Sequence, residues 1–327
     1  MTRTRVAVIG VGHLGRHHAR LLAAMPEVEL VAVVDTRPGR ADEIAAQHDT
    51  TALTDAAGLV GRVDAVTIAT PTVSHVAVAL PFVEAGAAVL VEKPIAISLD
   101  EADRLVEAAA ARGTVLAVGH TERFNPAVVA GLPLVSAPRF IEIHRLGTFP
   151  DRSLDIDVIF DLMIHDLDVL LTVVGGDVVS VEAVGVNVLT RRVDIANARL
   201  RFACGCIANV TASRISRDRV RKARFFQRDS YVSIDYAAQE VEAYRIIAPS
   251  APAGRPSEVS GGEELDGGQH DGRPLILGGA VAVASDEPLR RELSDFIEAV
   301  RTGREPGVTG RDGRAALALA TRVAELL

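Results

Sequence analysis

The chain has 327 residues, 48% of them hydrophobic and 24% charged, and a formal net charge of -8. This length exceeds one ordinary domain and predicts two, and no apolar stretch reaches the roughly 18 residues that a membrane span needs. The acidic balance disfavours nucleic acid as a partner, because phosphate contacts need clustered cations.

The amino terminus enters an apolar strand within a few residues, leaving no room for a signal peptide, so we expect a cytoplasmic protein. The cysteines Cys204 and Cys206 fall in a β pattern that points them to opposite faces of a sheet. We therefore expect no structural zinc or disulfide and no metal site.

The first 120 residues alternate short apolar runs with helical stretches. The runs are VAVIG, LVAVV, AVTIA, AVLVE and VLAVG. Uniformly apolar strands are covered on both faces, and parallel strands need crossover helices. We therefore assign residues 1–122 to a domain of the α/β class with a doubly wound parallel sheet.

A different rhythm begins near residue 139, with RFIEIHRL, VSVEAVGVNV, ANARLRF and CIANVTAS. Partial alternation of apolar and polar residues is typical of a sheet with one exposed face. A helix is predicted over 157–174, and the Pro- and Gly-rich stretch 249–275 predicts a loop. We assign residues 123–327 to an α+β domain with a largely antiparallel open sheet, which binds substrate and forms oligomers.

Three glycines follow the first strand with GxGxxG spacing. Gly10 permits the tight turn, Gly12 lets the backbone approach a pyrophosphate, and Gly15 lets helix and strand pack closely. Asp35 ends the next strand 20 residues after Gly15, where a carboxylate can bind the adenosine ribose. The pattern predicts a dinucleotide site and makes residues 1–122 an NAD(P)-binding Rossmann domain.

Asp35 favours NAD, because a carboxylate repels the 2′-phosphate of NADP. Arg37 and Arg40 leave NADP open, since a guanidinium near the ribose can hold that phosphate. The residues predicted to bind the cofactor at this end are Gly10, Gly12, His13, Leu14, Gly15, Asp35, Thr36 and Arg37.

Two further segments, ATPTVSH and VEKPIA, follow later strands of the predicted sheet. Ligands of open α/β sheets bind at the carboxyl ends of the strands. The residues predicted to border the nicotinamide are Thr70, Pro71, His75, Glu92, Lys93 and Pro94.

The order of motifs along the chain resembles the Gfo/Idh/MocA family of sugar and polyol oxidoreductases. The motifs are GxGxxG followed by His18, EKP at 92–94, GHTERFNP at 119–126 and DLMIHDLD at 161–168, and the likeness extends through the closing helices. It implies that Lys93, Asp161 and His165 line the reacting carbon. It also implies that Arg123 and Asn125 bind substrate at the domain junction; a salt bridge between the domains is the alternative.

Asp161 and His165 are four residues apart on the predicted helix and so share one face. Oxidising a secondary alcohol requires a base for the hydroxyl proton, and histidine suits neutral pH. We expect His165 to be this base and Lys93 to stabilise the alkoxide, with Lys93 as base left open. Asp166 and Asp168 are interpreted as solvated surface residues.

Within the family, three segments resemble the branch that oxidises the 3-hydroxyl of UDP-N-acetylglucosamine more than they resemble inositol dehydrogenases. They are GHTERFNPAV, HRLGTFPDRS and DVIFDLMIHDLDVLL. Arg145 and Arg152 are candidates to hold the diphosphate, because guanidinium groups bind phosphate oxygens bidentately. One alternative is a dehydrogenase or reductase of a free sugar or cyclitol such as inositol. Another is a non-catalytic NAD(P)-binding regulator, and the retained Lys93, Asp161 and His165 argue against it.

The predicted open face of the second sheet needs a cover, because a large exposed apolar patch is costly for a monomer. We expect a homodimer or homotetramer.

Overall fold

The computed structural model describes residues 2–149, 156–247, 263–264 and 275–327. Arg152 and nearly all of the predicted loop 249–275 lie outside these residues. The strands are β1 (Thr4–Ile9), β2 (Val28–Val34), β3 (Thr51–Leu53), β4 (Ala65–Ile68), β5 (Ala88–Glu92), β6 (Leu116–Gly119), β7 (Phe140–Leu146), β8 (Val178–Val186), β9 (Ile195–Phe202), β10 (Ile207–Ser213), β11 (Val220–Phe226), β12 (Ser230–Asp235), β13 (Glu240–Ile247), β14 (Glu263–Glu264) and β15 (Leu275–Val281).

The α-helices are α1 (Gly15–Ala23), α2 (Pro38–His48), α3 (His75–Glu84), α4 (Leu99–Arg112), α5 (Pro126–Gly131), α6 (Ile164–Val174), α7 (Pro288–Thr302) and α8 (Gly310–Ala324). None of the helices in the described part of the chain combines the length and the hydropathy that crossing a bilayer requires. Contacts divide the chain into two compact units, residues 1–121 with 287–318 and residues 122–286 with 319–327.

The first unit contains a six-stranded parallel sheet in the order β3-β2-β1-β4-β5-β6. This confirms the predicted doubly wound sheet. The order reverses between β1 and β4, which is where such sheets bind ligands. The short edge strand β3 was not predicted, because three residues are too few to show a periodicity.

Helix α7 belongs to the first unit, although the sequence analysis placed everything after residue 122 in the second domain. Its apolar residues Leu293, Phe296 and Ile297 share one buried core with Val6 and Leu22. An amphipathic pattern predicts that a helix has a buried face but does not say which surface covers it.

The second unit contains a nine-stranded sheet in the order β14-β15-β13-β12-β11-β7-β10-β9-β8. Among its described strand pairs, β7 with β10 is parallel and the others are antiparallel. The largely antiparallel prediction is confirmed.

The helix predicted over 157–174 begins with a π-helical turn, Ile159–Met163, which continues into α6. Hydrophobic spacing does not distinguish a single π turn from an α turn, so this feature was not predicted. Gly175, with φ +65°, ends the helix where the sequence places its stop.

Candidate active site

The glycine loop between β1 and α1 fits the role predicted for it. Gly10 has φ +84°, and a Cβ at Gly15 would lie 1.7 Å from the carbonyl oxygen of Gly10. Neither position accepts a side chain. A Cβ at Gly12 would meet no atom within 4 Å, so its backbone faces open space at the amino terminus of α1. His13 and Leu14 are exposed beside it.

Asp35 is buried at the end of β2 and is bound by its neighbour Arg37. The Arg37 backbone N–H and Nε donate to Oδ1 of Asp35 at 3.0 and 3.1 Å. Burial alone would raise the pKa of Asp35, but these hydrogen bonds outweigh it and leave that pKa below its usual value. Asp35 is therefore a carboxylate at neutral pH. The Arg37 side chain is 69% exposed, and Thr36 is also exposed.

Arg40 braces the glycine loop from α2. Its Nε donates to the carbonyl oxygen of Val11 at 2.8 Å, and its outer nitrogens reach the Gly12 carbonyl at 3.4 Å and Glu43 at 2.7 Å. These bonds use the guanidinium for holding the loop.

His75 connects the two segments that follow β4 and β5. Its ring nitrogens lie 2.9 Å from the carbonyl oxygen of Pro94 and 3.0 Å from that of Thr70. Burial lowers the pKa of His75, so the ring is neutral at neutral pH and donates to one carbonyl at a time. The Thr70 hydroxyl is buried and lacks a hydrogen-bond partner among the described residues. Pro71 is exposed.

Glu92 lies inside the first unit. Its carboxylate lies 3.1 Å from Nε2 of the buried His18 and accepts the Lys93 backbone N–H at 3.3 Å. Burial opposes ionisation, but the bond to His18 prevails and lowers the pKa of Glu92. The carboxylate expected beside the nicotinamide thus ties β5 to α1. The next residue, Lys93, is partly exposed and precedes Pro94 through a cis peptide bond.

The features of the first unit together fit a dinucleotide. Its pyrophosphate needs a side-chain-free approach to a helix amino terminus, which the glycine loop supplies. Its ribose needs an acceptor, which the ionised Asp35 supplies. The unpartnered Thr70 hydroxyl adds a polar group at the end of β4, next to the point where the strand order reverses.

In the second unit, Asp161 lies in the π turn and His165 follows one turn later, on α6. Both side chains are partly exposed, whereas Met163 and Ile164 between them are buried. A π turn contains more than four residues and an α turn fewer, so residues four apart stay on one side of the helix. The pair is presented together, as the spacing predicts.

Arg145 does not have the role expected from the sequence. It is 3% exposed, and its Nε and one terminal nitrogen hold both Asp166 oxygens at 2.7 and 2.8 Å. Its other terminal nitrogen donates to Glu122 at 2.8 Å, and the group lies over the Tyr236 ring. Arg145 is therefore buried and paired with two carboxylates, which does not fit the predicted role of holding a diphosphate.

Asp166 and Asp168, interpreted above as surface residues, are both buried. Asp168 accepts two bonds from Arg123, at 2.8 and 3.2 Å. Each aspartate on α6 is thus paired with an arginine from another element of the unit. A salt bridge between domains was the alternative expected for Arg123, whereas its pair with Asp168 lies within the second unit. The partner was not predictable, because the two residues are 45 positions apart.

Asn125 caps α5. Its side-chain oxygen accepts the Ala127 backbone N–H at 3.0 Å, and its amide nitrogen donates to Glu122 at 3.1 Å and to the Tyr236 carbonyl at 2.9 Å. These bonds use the whole amide group. The substrate contacts expected of Asn125 and Arg123 stay predictions.

Comparison with known proteins decides the family. A family model described as an oxidoreductase family with an NAD-binding Rossmann fold matches residues 4–120, and the GFO/IDH/MocA C-terminal domain model matches residues 139–228. The chain belongs to the Gfo/Idh/MocA oxidoreductase family. It thus has an NAD-binding Rossmann domain, and the predicted resemblance is confirmed.

The individual relatives include several sugar and polyol dehydrogenases. UDP-N-acetylglucosamine 3-dehydrogenase of Acidithiobacillus ferrooxidans is 39% identical over 99% of this chain and 97% of its own length. Its solved structure superposes with a TM-score of 0.87 over 100% of this chain and 98% of that one. Inositol 2-dehydrogenase of Rhizobium meliloti is 28% identical over 97% and 94% of the two chains.

Proposed function

We propose that the chain uses NAD to oxidise the 3-hydroxyl of a UDP-N-acetylhexosamine to a ketone. The observation that carries this is the 39% identity to a UDP-N-acetylglucosamine 3-dehydrogenase over essentially the full length of both chains. The presented Asp161 and His165 pair supports an oxidation, since a non-catalytic regulator has no use for a proton acceptor.

The proposal assigns a role to each of the main candidate site residues. The bound nicotinamide supplies the hydride acceptor. His165 removes the hydroxyl proton, Lys93 stabilises the developing alkoxide, and Asp161 orients the imidazole or binds a neighbouring hydroxyl. The glycine loop and Asp35 hold the cofactor, and His75 fixes the segments that carry Thr70 and Pro94.

NAD is the proposed cofactor in preference to NADP. The ionised Asp35 would repel a 2′-phosphate, and Arg40 is used in holding the loop.

Exchanging Asp35 for Ser should raise the KM for NAD about tenfold, because one charge-assisted bond to the ribose is lost. The same exchange should reduce the preference for NAD over NADP. Steady-state kinetics with both cofactors measure this. A kcat/KM for NADP exceeding that for NAD in the parent enzyme would contradict it.

A second substrate class is a free cyclitol or sugar, because an inositol 2-dehydrogenase is 28% identical over most of the chain. NADH production screened over UDP-N-acetylglucosamine, its uronic acid, myo-inositol and glucose separates the two. Turnover of UDP-sugars alone supports the proposal, and turnover of inositol alone overturns it.

We also propose a cytoplasmic homodimer or homotetramer. Four aromatic rings cross the sheet of the second unit on one face, from β7 to β13, with centroids 5.1 to 6.1 Å apart. They are Phe140, Phe226, Tyr231 and Tyr244. All four are partly or fully exposed in the single chain, and aromatic rows of this kind are favoured in interfaces.

A further inference from the structure

Arg221 is the neighbour of Arg145 across two antiparallel strands. The register of β7 and β11 places Arg145 directly opposite Arg221, and the next pair on the same face is the buried Ile143 with Ala223. Like charges directly opposite each other in a sheet repel. The structure must therefore supply negative charge to this pair.

The negative charge is unequally shared between the two arginines. Arg145 binds both oxygens of Asp166 and one oxygen of Glu122. Among the described residues, Arg221 has one ion contact, to the same Glu122 at 4.0 Å, and no side-chain hydrogen bond. Its side chain is 52% exposed.

The surroundings of Arg221 favour an added anion. Partial burial and the charge of Arg145 lower the pKa of Arg221, so an anion nearby would relieve the repulsion. Arg219, two residues earlier, is exposed and donates to the Thr148 hydroxyl at 3.3 Å. The arginine pair is connected to the helix that carries the proposed base, because Asp166, which holds Arg145, is the residue after His165 on α6.

We propose that Arg221, assisted by Arg219, binds the diphosphate of the nucleotide-sugar substrate. The sequence had suggested Arg145 for this role. The assignment to Arg221 rests on the proposed function for its substrate class. Arg145 holds α6, and its neighbour across the strands supplies the guanidinium that remains open to a ligand. Arginine suits the task because it binds phosphate oxygens bidentately.

The test compares Arg221→Met with Arg224→Met. Arg224 is on the same strand, three residues on, and is paired with Glu142 at 2.8 Å. Calorimetric titration with uridine diphosphate, inorganic pyrophosphate and uridine should show at least about tenfold weaker binding of the two phosphate ligands to Arg221→Met, as expected for a lost charge-assisted bond. Uridine affinity should change little, and Arg224→Met should resemble the parent.

Kinetic and binding measurements together distinguish a failure of this proposal from a failure of the proposed function. With UDP-N-acetylglucosamine, Arg221→Met should raise KM while kcat and the KM for NAD stay within about twofold of the parent, since the variant leaves His165 and the cofactor loop intact. Parent-like diphosphate affinity in Arg221→Met overturns the proposal while leaving the proposed function standing. A parent enzyme that binds no uridine diphosphate and oxidises only free polyols overturns both.

Discussion

His165 and Lys93 divide the proposed chemistry between a proton acceptor and a cation, and substitution distinguishes them. His165→Asn should lower kcat by about 10²- to 10⁴-fold, the usual contribution of general-base catalysis, with NAD affinity unchanged because the variant leaves the glycine loop and Asp35 as they are. Lys93→Met should also lower kcat, through loss of alkoxide stabilisation. Single-turnover kinetics and NADH fluorescence titration measure the two effects.

His48→Asn is the matched control, since His48 ends α2 away from the glycine loop, and it should turn over like the parent. Near-normal turnover of His165→Asn together with an inactive Lys93→Met would assign the proton transfer to lysine instead.

Single residues also show where sequence reasoning succeeds and where it stops. The tight turn at Gly10 and the close packing at Gly15 were predictable, because both depend on a few neighbouring residues. Arg145 and Asn125 were not, because their partners arrive from distant segments: Asn125 binds the Tyr236 carbonyl from 111 residues away. From the sequence alone, a charged residue that is paired in the folded protein cannot be distinguished from one that is available to a ligand.

At the scale of elements, α6 depends on its two buried aspartates. Asp168→Asn should destabilise the protein by about 3 kcal/mol, because it removes the buried carboxylate that accepts two hydrogen bonds from the partly buried Arg123. Urea denaturation followed by circular dichroism measures the change. Asp64→Asn, which removes the exposed pair with Arg5, should cost under about 1 kcal/mol. Equal costs for the two variants would argue against a structural role of the Arg123–Asp168 pair.

The loop between β8 and β9 is held by one carboxylate. The buried Asp194 accepts the backbone N–H groups of Val188, Leu189 and Thr190 at 2.7 to 2.9 Å. Burial opposes ionisation, but these bonds prevail and lower the pKa of Asp194 to about 2.

A pKa lowered by folding contributes stability above the unfolded value near 3.8, and this contribution is lost as the pH falls toward 2. The difference is worth up to about 2 kcal/mol. The parent should therefore be more stable than Asp194→Asn at pH 7, by a margin that shrinks between about pH 5 and pH 2. Urea denaturation of both proteins over this range checks it, and a margin independent of pH would contradict it.

Five of the six strands of the first unit were predictable from local runs, and the three-residue β3 was the exception. The π turn was not predictable, because one extra residue in a turn hardly alters the apolar spacing. The placement of α7 also escaped prediction. Its apolar face is visible in the sequence, but the surface that covers it comes from β1 and α1, nearly 300 residues earlier.

At the scale of the whole molecule, the aromatic row on the open face of the sheet predicts self-association. Light scattering at micromolar concentration should give a dimer or tetramer. Phe226→Asp places a charge in the middle of the row, where burial is costly, and should shift the distribution toward monomer. Leu326→Asp, an exposed apolar position at the carboxyl terminus, is the control. A monomeric parent would contradict the prediction.

The central claim is that hydride leaves C3 of a UDP-N-acetylhexosamine for the nicotinamide. The most direct measurement uses UDP-N-acetylglucosamine deuterated at C3 with NAD, followed by NMR and mass spectrometry of both products. Deuterium at C4 of the nicotinamide together with a 3-keto sugar nucleotide is the expected result. Reduced cofactor without deuterium would contradict it, as would an enzyme that reduces NAD with myo-inositol but not with UDP-N-acetylglucosamine.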